Sequence, residues 1–217
     1  MFKPTTLSRR QTLALGAGSV LFLGGLPLTA FAKAGEDPAA IITSIAGDAF
    51  GLFGKLNGVS GDWSSRRSWA EDVTKARFAT KVMGEKAGGV FLNEFDTIKR
   101  RTFDKLIEEV VSEFILDIFA VYEPNTTFTV DRVRPNRSNT AIIMDSTVVS
   151  SGDTYKVKWT VIEDGGKCKI SDVSIFGLNL VSDFRGAIEK SFRADGQAGV
   201  IAMLQQRIKR GKRKYPG

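Results

Sequence analysis

The spacing of apolar residues changes twice along the chain. Up to Tyr122 they recur every three or four residues, from Thr126 to Phe176 they alternate with polar ones, and from Leu178 the helical spacing returns. Asp37-Pro38 supplies an N-cap and a proline at the first helical position. Ile41, Ile42, Ile45, Ala49, Phe50, Phe53 and Leu56 then mark a helix that Asn57-Gly58-Val59-Ser60-Gly61 ends. Trp69, Val73, Phe78 and Val82 predict a second helix from about Ser68 to Met83, with Gly84, Gly88 and Gly89 framing a loop or short helical turn. The strongest signal covers about Thr97 to Tyr122. Phe103, Leu106, Ile107, Val110, Val111, Phe114, Ile115, Ile118, Phe119 and Tyr122 form a stripe wider than one amphipathic face needs. Such a helix is buried on more than one side or lines a cavity.

Four segments rich in Val, Ile, Thr and aromatics follow, at 126–133, 140–150, 154–163 and 167–176. Ser151-Gly152-Asp153 and Asp164-Gly165-Gly166 separate them as hairpin turns. In the third, Tyr155, Val157, Trp159 and Val161 share one face, while Lys156, Lys158, Thr160 and Ile162 share the other. One side of this sheet is wet and the other must be covered by helices. Two helices close the chain, from Leu178 to Phe192 and from Gln197 to about Arg210, with Asp195-Gly196 between them. The fold class predicted is α+β, a four-stranded twisted antiparallel sheet against a layer of about five to seven helices.

Composition narrows the chemistry. The 217 residues, 42% hydrophobic and 25% charged, suit one folded domain. No histidine is present, which excludes Ser-His-Asp and Cys-His catalysis and His-containing zinc sites. Cys168 stands alone, so no internal disulfide and no cysteine-held metal can form; on its strand it reads as a small core residue. The Gly84–Gly89 stretch follows a helix and lacks the Gly-Lys-Ser/Thr ending of a phosphate cradle, so it reads as a loop. Glu108/Glu109 and Glu163/Asp164 do not offer two differently buried carboxylates. No cofactor motif accompanies them, and the residues support no reaction.

The first 32 residues read as an export leader: Lys3, Arg9 and Arg10, an uncharged apolar stretch from Leu13 to Leu28, then Ala30-Phe31-Ala32 as a cleavage site. Four glycines and Pro27 interrupt that stretch, and a spanning helix needs roughly 20 apolar residues. Ser8-Arg9-Arg10-Gln11-Thr12-Leu13 resembles a twin-arginine signal, which implies a bacterial periplasmic protein exported folded. Removing this leader takes three of the net +7 charges, leaving +4. Arg207, Lys209, Arg210, Lys212, Arg213 and Lys214 carry six more, so the body from Lys33 to Gln206 is −2. The basicity belongs to the two ends, no nucleic-acid face is implied, and residues 209–217 read as a solvated basic tail able to meet an anionic membrane. A sheet facing wide apolar helices, without catalytic groups, suits a pocket for acyl chains, worth about 0.8 kcal/mol per buried CH₂.

The segment Lys169-Ile170-Ser171-Asp172-Val173-Ser174-Ile175-Phe176-Gly177-Leu178-Asn179-Leu180-Val181-Ser182-Asp183-Phe184-Arg185 resembles the signature of the MlaC, or toluene-tolerance auxiliary, family. Cys168 stands where that family has Trp, Asn179 where it has Ser, and Phe184 where it has Tyr. Gly196–Leu204 and Arg77–Gly84 resemble it more loosely, so the likeness spans about 38–208. The resemblance implies a periplasmic phospholipid carrier with its pocket between sheet and helices, formed by residues 33–208. Such carriers shuttle lipid between an outer-membrane lipoprotein–porin complex and an inner-membrane ABC transporter with an MCE-domain protein, and so bear on membrane lipid asymmetry. A related branch accompanies hopanoids, which makes a polycyclic isoprenoid the alternative ligand. Carried onto this chain, the lipid-binding candidates are Val157, Trp159, Val161, Val173 and Ile175 on the sheet, with Phe103, Leu106, Val110, Leu180 and Phe184 opposite. The same side chains would equally make a plain core. Asp172 and Arg185 are expected to brace strand to helix. A small periplasmic enzyme with Asp172 as its acid and a ligand-free adaptor are the competing readings.

Overall fold

A computed structural model of the chain describes residues 37–56, 63–119, 126–150, 152–175 and 177–215. Helices α1 (Pro38–Leu56), α2 (Trp63–Arg77) and α3 (Thr80–Gly88), a 3-10 turn (Gly89–Glu94) and α4 (Thr97–Phe119) come first. Strands β1 (Thr127–Pro135), β2 (Ile142–Ser150), β3 (Asp153–Asp164), β4 (Lys167–Ile175) and β5 (Leu178–Asn179) follow, and α5 (Leu180–Lys214) closes the chain. The expected leader, the Asn57–Gly61 break, Tyr122, and the side chains of Ala49, Phe50, Phe53, Leu56 and Phe119 lie outside the described residues.

The sheet is a simple antiparallel meander in the order β1-β2-β3-β4-β5. Its turns dictate this. Between β3 and β4, Gly165 and Gly166 have φ of +63° and +79°, the pair of left-handed residues that a tight hairpin matching strand twist requires. The Glu163 side chain accepts from the Gly166 amide at 2.7 Å and fixes the turn. On β3, Val157, Trp159 and Val161 are buried while Lys156 and Lys158 are exposed, so the sheet has one covered and one wet face.

The class is α+β as expected, but five strands replace the predicted four. The fifth is two residues long, pairing Leu178 with Ile175 and Asn179 with Ser174, too short for alternation to reveal. The expected helix from Ser68 to Met83 is two helices, divided at Phe78-Ala79. There the backbone forms a parallel bridge to Ile170, and the Ala79 amide donates to the Ile170 carbonyl at 2.8 Å. A tertiary hydrogen bond thus outcompetes the helical one. The Gly84–Gly89 stretch, read as a loop or short helical turn, is helical: Gly84 to Gly88 lie inside α3 and Gly89 opens the 3-10 turn; a Cβ on Gly84 would sit 3.3 Å from Phe103, so glycine here lets α3 lie close on α4.

The two closing helices are joined as α5 across a kink at Asp195 and Gly196, the latter at φ +59°. Residues 209–214 keep their cations in solvent as expected but form no separate tail: they continue α5, and Tyr215 beyond them is buried. Tyr215 packs its ring on Trp63 at a tilt of 33° with 4.3 Å between ring centroids, its hydroxyl donates to Asp117 at 2.7 Å, and Arg67 donates to its carbonyl at 2.9 Å. These contacts tie the chain end to α2 and α4. Lys214 and Lys212 add ion pairs to Asp117 and Glu109.

The width of the apolar stripe on α4 has its reason in this arrangement: the helix packs against α2, α3 and α5. Phe103, Ile107, Val111 and Leu116 are wholly buried in one hydrophobic cluster that also takes in the covered face of the sheet. Cys168 is buried in the same cluster. Among the described residues no helix is long and apolar enough to cross a membrane.

Candidate functional site

The ten apolar candidates meet in that one cluster. β3 contributes Val157, Trp159 and Val161; β4 contributes Val173 opposite Trp159 and Ile175 opposite Val157. Phe103, Leu106 and Val110 come from α4 at helical spacing, and Leu180 and Phe184 from the first turns of α5. All are buried except Ile175, which is half-buried at the edge. Leu106 also faces outward, into a groove between α4 and the end of α5. Ile142, Met144 and Ile170, equally buried, share the cluster although the signature did not single them out. Alternation along β2 places Ile142 and Met144 on the same face as Val157 and Val161, the signal by which those two could have been found, whereas Ile170 reaches that face only through a break in the alternation of β4.

Polar groups inside the cluster are spoken for. The Trp159 indole donates to Ser146 Oγ at 2.9 Å, and that hydroxyl donates to the Val157 carbonyl at 3.3 Å, so an aromatic with a polar edge is buried at little cost. A bulge between Thr160 and Val161 opposite β4 turns both Ile170 and Ser171 inward, and the Ser171 hydroxyl donates to the Thr160 carbonyl at 3.4 Å. Phe103 meets the edge of Phe95 at 5.5 Å between centroids, and the Arg207 guanidinium covers the Phe184 ring at 4.7 Å. Arg207 is held there by Asp183 at 2.9 Å.

Asp172 sits where β4 hands over to α5. Its carboxylate accepts from the Val173 amide at 2.9 Å, from the Val181 amide at 3.3 Å and from the Asn179 side-chain amide. Asn179 in turn caps α5, accepting from the Ser182 amide at 2.8 Å. Asp172 therefore braces strand to helix, whereas Arg185 braces helix to helix, donating twice to the Lys86 carbonyl at the end of α3. Asn179→Ala is expected to lower stability by about 1 kcal/mol and Asn179→Ser to restore most of it, because Ser accepts the same capping bond; paired denaturant titrations check this.

A comparison with family models matches the MlaC protein family over residues 57–206. This chain belongs to the MlaC family. The match takes in the long helix, the whole meander and most of α5, including the MlaC-like strand-to-helix signature built around Asp172. Among solved structures, a phospholipid-binding protein from Ralstonia solanacearum, determined in complex with a phospholipid, is similar at a TM-score of 0.70 with 17% identity, covering 81% of this chain and 99% of that one. A comparison with curated proteins found no match.

Proposed function

We propose that this MlaC-family chain is a non-enzymatic carrier that takes the acyl chains of a phospholipid between its sheet and its helices. The observation that carries the reading is the shared fold with a protein that was solved holding a phospholipid. The hydrophobic cluster supports it: Val157, Trp159, Val161, Val173, Ile175, Phe103, Leu106, Val110, Leu180 and Phe184 would line the tail site, with Ile175 nearest its edge. Opening such a cluster around acyl chains exchanges one set of apolar contacts for another, so no catalytic group is required. Asp172, with three hydrogen bonds already on its carboxylate, is a structural brace in this reading and not an acid.

Residues 1–32 would be the twin-arginine-type leader and 33–208 the lipid-binding domain, placing the mature protein in the periplasm. Its partners there would be an inner-membrane ABC transporter with an MCE-domain protein and an outer-membrane lipoprotein–porin complex. Native mass spectrometry of the protein recovered from its own cell, followed by lipid extraction, tests the reading. A bound diacyl phospholipid is the expected result. A hopanoid would replace the cargo with an isoprenoid, and a ligand-free mass together with no uptake from phospholipid vesicles would overturn the carrier reading.

A further inference from the structure

The groove that Leu106 faces lies on the outside of the helical layer, between α4 and the last turns of α5, and has a volume of about 680 Å³. Leu106 and Ile208 form its floor, and Lys105, Lys209, Lys212 and Arg213 stand along it against a single acid, Glu109. Glu109 is already engaged by Lys212 at 3.8 Å. Lys105, Lys209 and Arg213 are exposed, and among the described residues none of them pairs with a carboxylate. Lys214, Arg207 and Arg100 on the same helices are matched, with Asp117, Asp183 and Asp104, and the exposed cations Arg101, Lys190 and Arg210 do not line the groove. Three unmatched cations converging on one groove raise the local potential, which a partner of opposite sign would relieve.

One end of the same face is apolar. Ile98, on the α4 stripe that continues through Thr102 to Lys105, is 77% exposed. A large apolar side chain held out into water beside a row of unpaired cations matches the two layers of a bilayer surface, its anionic headgroups and the boundary of its acyl region.

We infer that the α4–α5 groove is a docking face for an anionic phospholipid membrane, with Lys105, Lys209 and Arg213 meeting headgroup phosphates and Ile98 resting at the acyl boundary. The fold makes this face rigid: Tyr215 clamps the end of α5 against α2 and α4, so the cations are presented on an anchored helix. The inference stands apart from the carrier reading, since a protein can rest on a membrane through this groove whether or not it holds a lipid inside.

Vesicle co-sedimentation of the protein as recovered from its cell provides the test, with phosphatidylcholine vesicles alone or containing phosphatidylglycerol. Binding is expected only to the anionic vesicles and is expected to be lost in high salt. The triple variant Lys105→Gln/Lys209→Gln/Arg213→Gln is expected to bind them about a hundredfold more weakly, since each surface cation contributes about fivefold. A control variant, Lys158→Gln/Lys167→Gln/Lys190→Gln, removes the same charge from exposed sites away from the groove and is expected to keep most of the binding. Equal losses in the two variants would mean that net charge and not the groove is at work, and would overturn the inference. So would intact vesicle binding by the groove variant, or the absence of binding to anionic vesicles by the unaltered protein. Bound lipid measured in the same preparations reports separately on the carrier function.

Discussion

Val161→Glu unfolds the protein. The sequence pattern makes a charge at this strand position look like a simple way to fill the tail site, but Val161 is wholly buried, flanked by Ile142 on β2 and Ile170 on β4. A carboxylate there meets no donor with a free hydrogen bond to give, because Ser146, Trp159 and Ser171 are already bonded to their neighbours. Burying an unpaired ionisable group costs several kcal/mol even after it takes up a proton, out of a total stability of about 5–15 kcal/mol. The expected result is loss of the cooperative thermal transition by circular dichroism and of soluble protein. A folded Val161→Glu protein would mean that water reaches this position. The charge that interrogates binding belongs at Ile175, half-buried at the cluster's edge, where Glu can reach solvent. Ile175→Glu is expected to fold and to carry less lipid, and undiminished lipid would remove Ile175 from the tail site.

That contrast shows what patterns along a chain hold and what they leave out. Alternation assigned Val157, Trp159 and Val161 to the covered face correctly, because the strand period fixes which side a residue takes. It carries no depth, so Ile175 and Val173 looked alike while one is half-buried and the other nearly sealed. The glycine pair at 165–166 and the Asp195-Gly196 pair were legible because left-handed backbone is a local demand with a local residue signature. The division of α2 from α3 was not, since it rests on an amide of Ala79 reaching a carbonyl ninety-one residues away. The bulge that turns Ser171 inward is equally silent in sequence, because it is a relation between two strands. The signature around Asp172 was readable as a motif, and only the structure gives its reason: one carboxylate holds the backbone of β4 and the first turn of α5 in register.

The second large effect is at the chain end. A run of cations without an acid reads as solvated, and these cations are exposed, but composition gives no sign that the segment is helical and held by the aromatic after it. Tyr215→Ala is expected to cost about 3 kcal/mol, in the range for removing a buried aromatic side chain, measured as a shift of the denaturant midpoint at constant slope. It deletes the ring packing on Trp63 and the hydroxyl bond to Asp117 together. Tyr215→Phe keeps the ring packing and is expected to lose about 1 kcal/mol. The phenol adds a pH signature. Burial pushes its pKa above the ordinary value, the Lys214 ammonium opposes that, and the bond to Asp117 reinforces it. Lys214 is itself raised, first by its hydrogen bond to Asp117. Both groups bind their protons more tightly folded than unfolded, so the stability they contribute is complete below about pH 10 and is lost as pH climbs through the folded values. Alkaline denaturation profiles should therefore fall more steeply for the unaltered protein than for Tyr215→Phe. If instead the Ala variant unfolds at the same denaturant concentration as the parent, the last turn of α5 is not anchored, and the cations of the outer groove ride on a helix end free to fray.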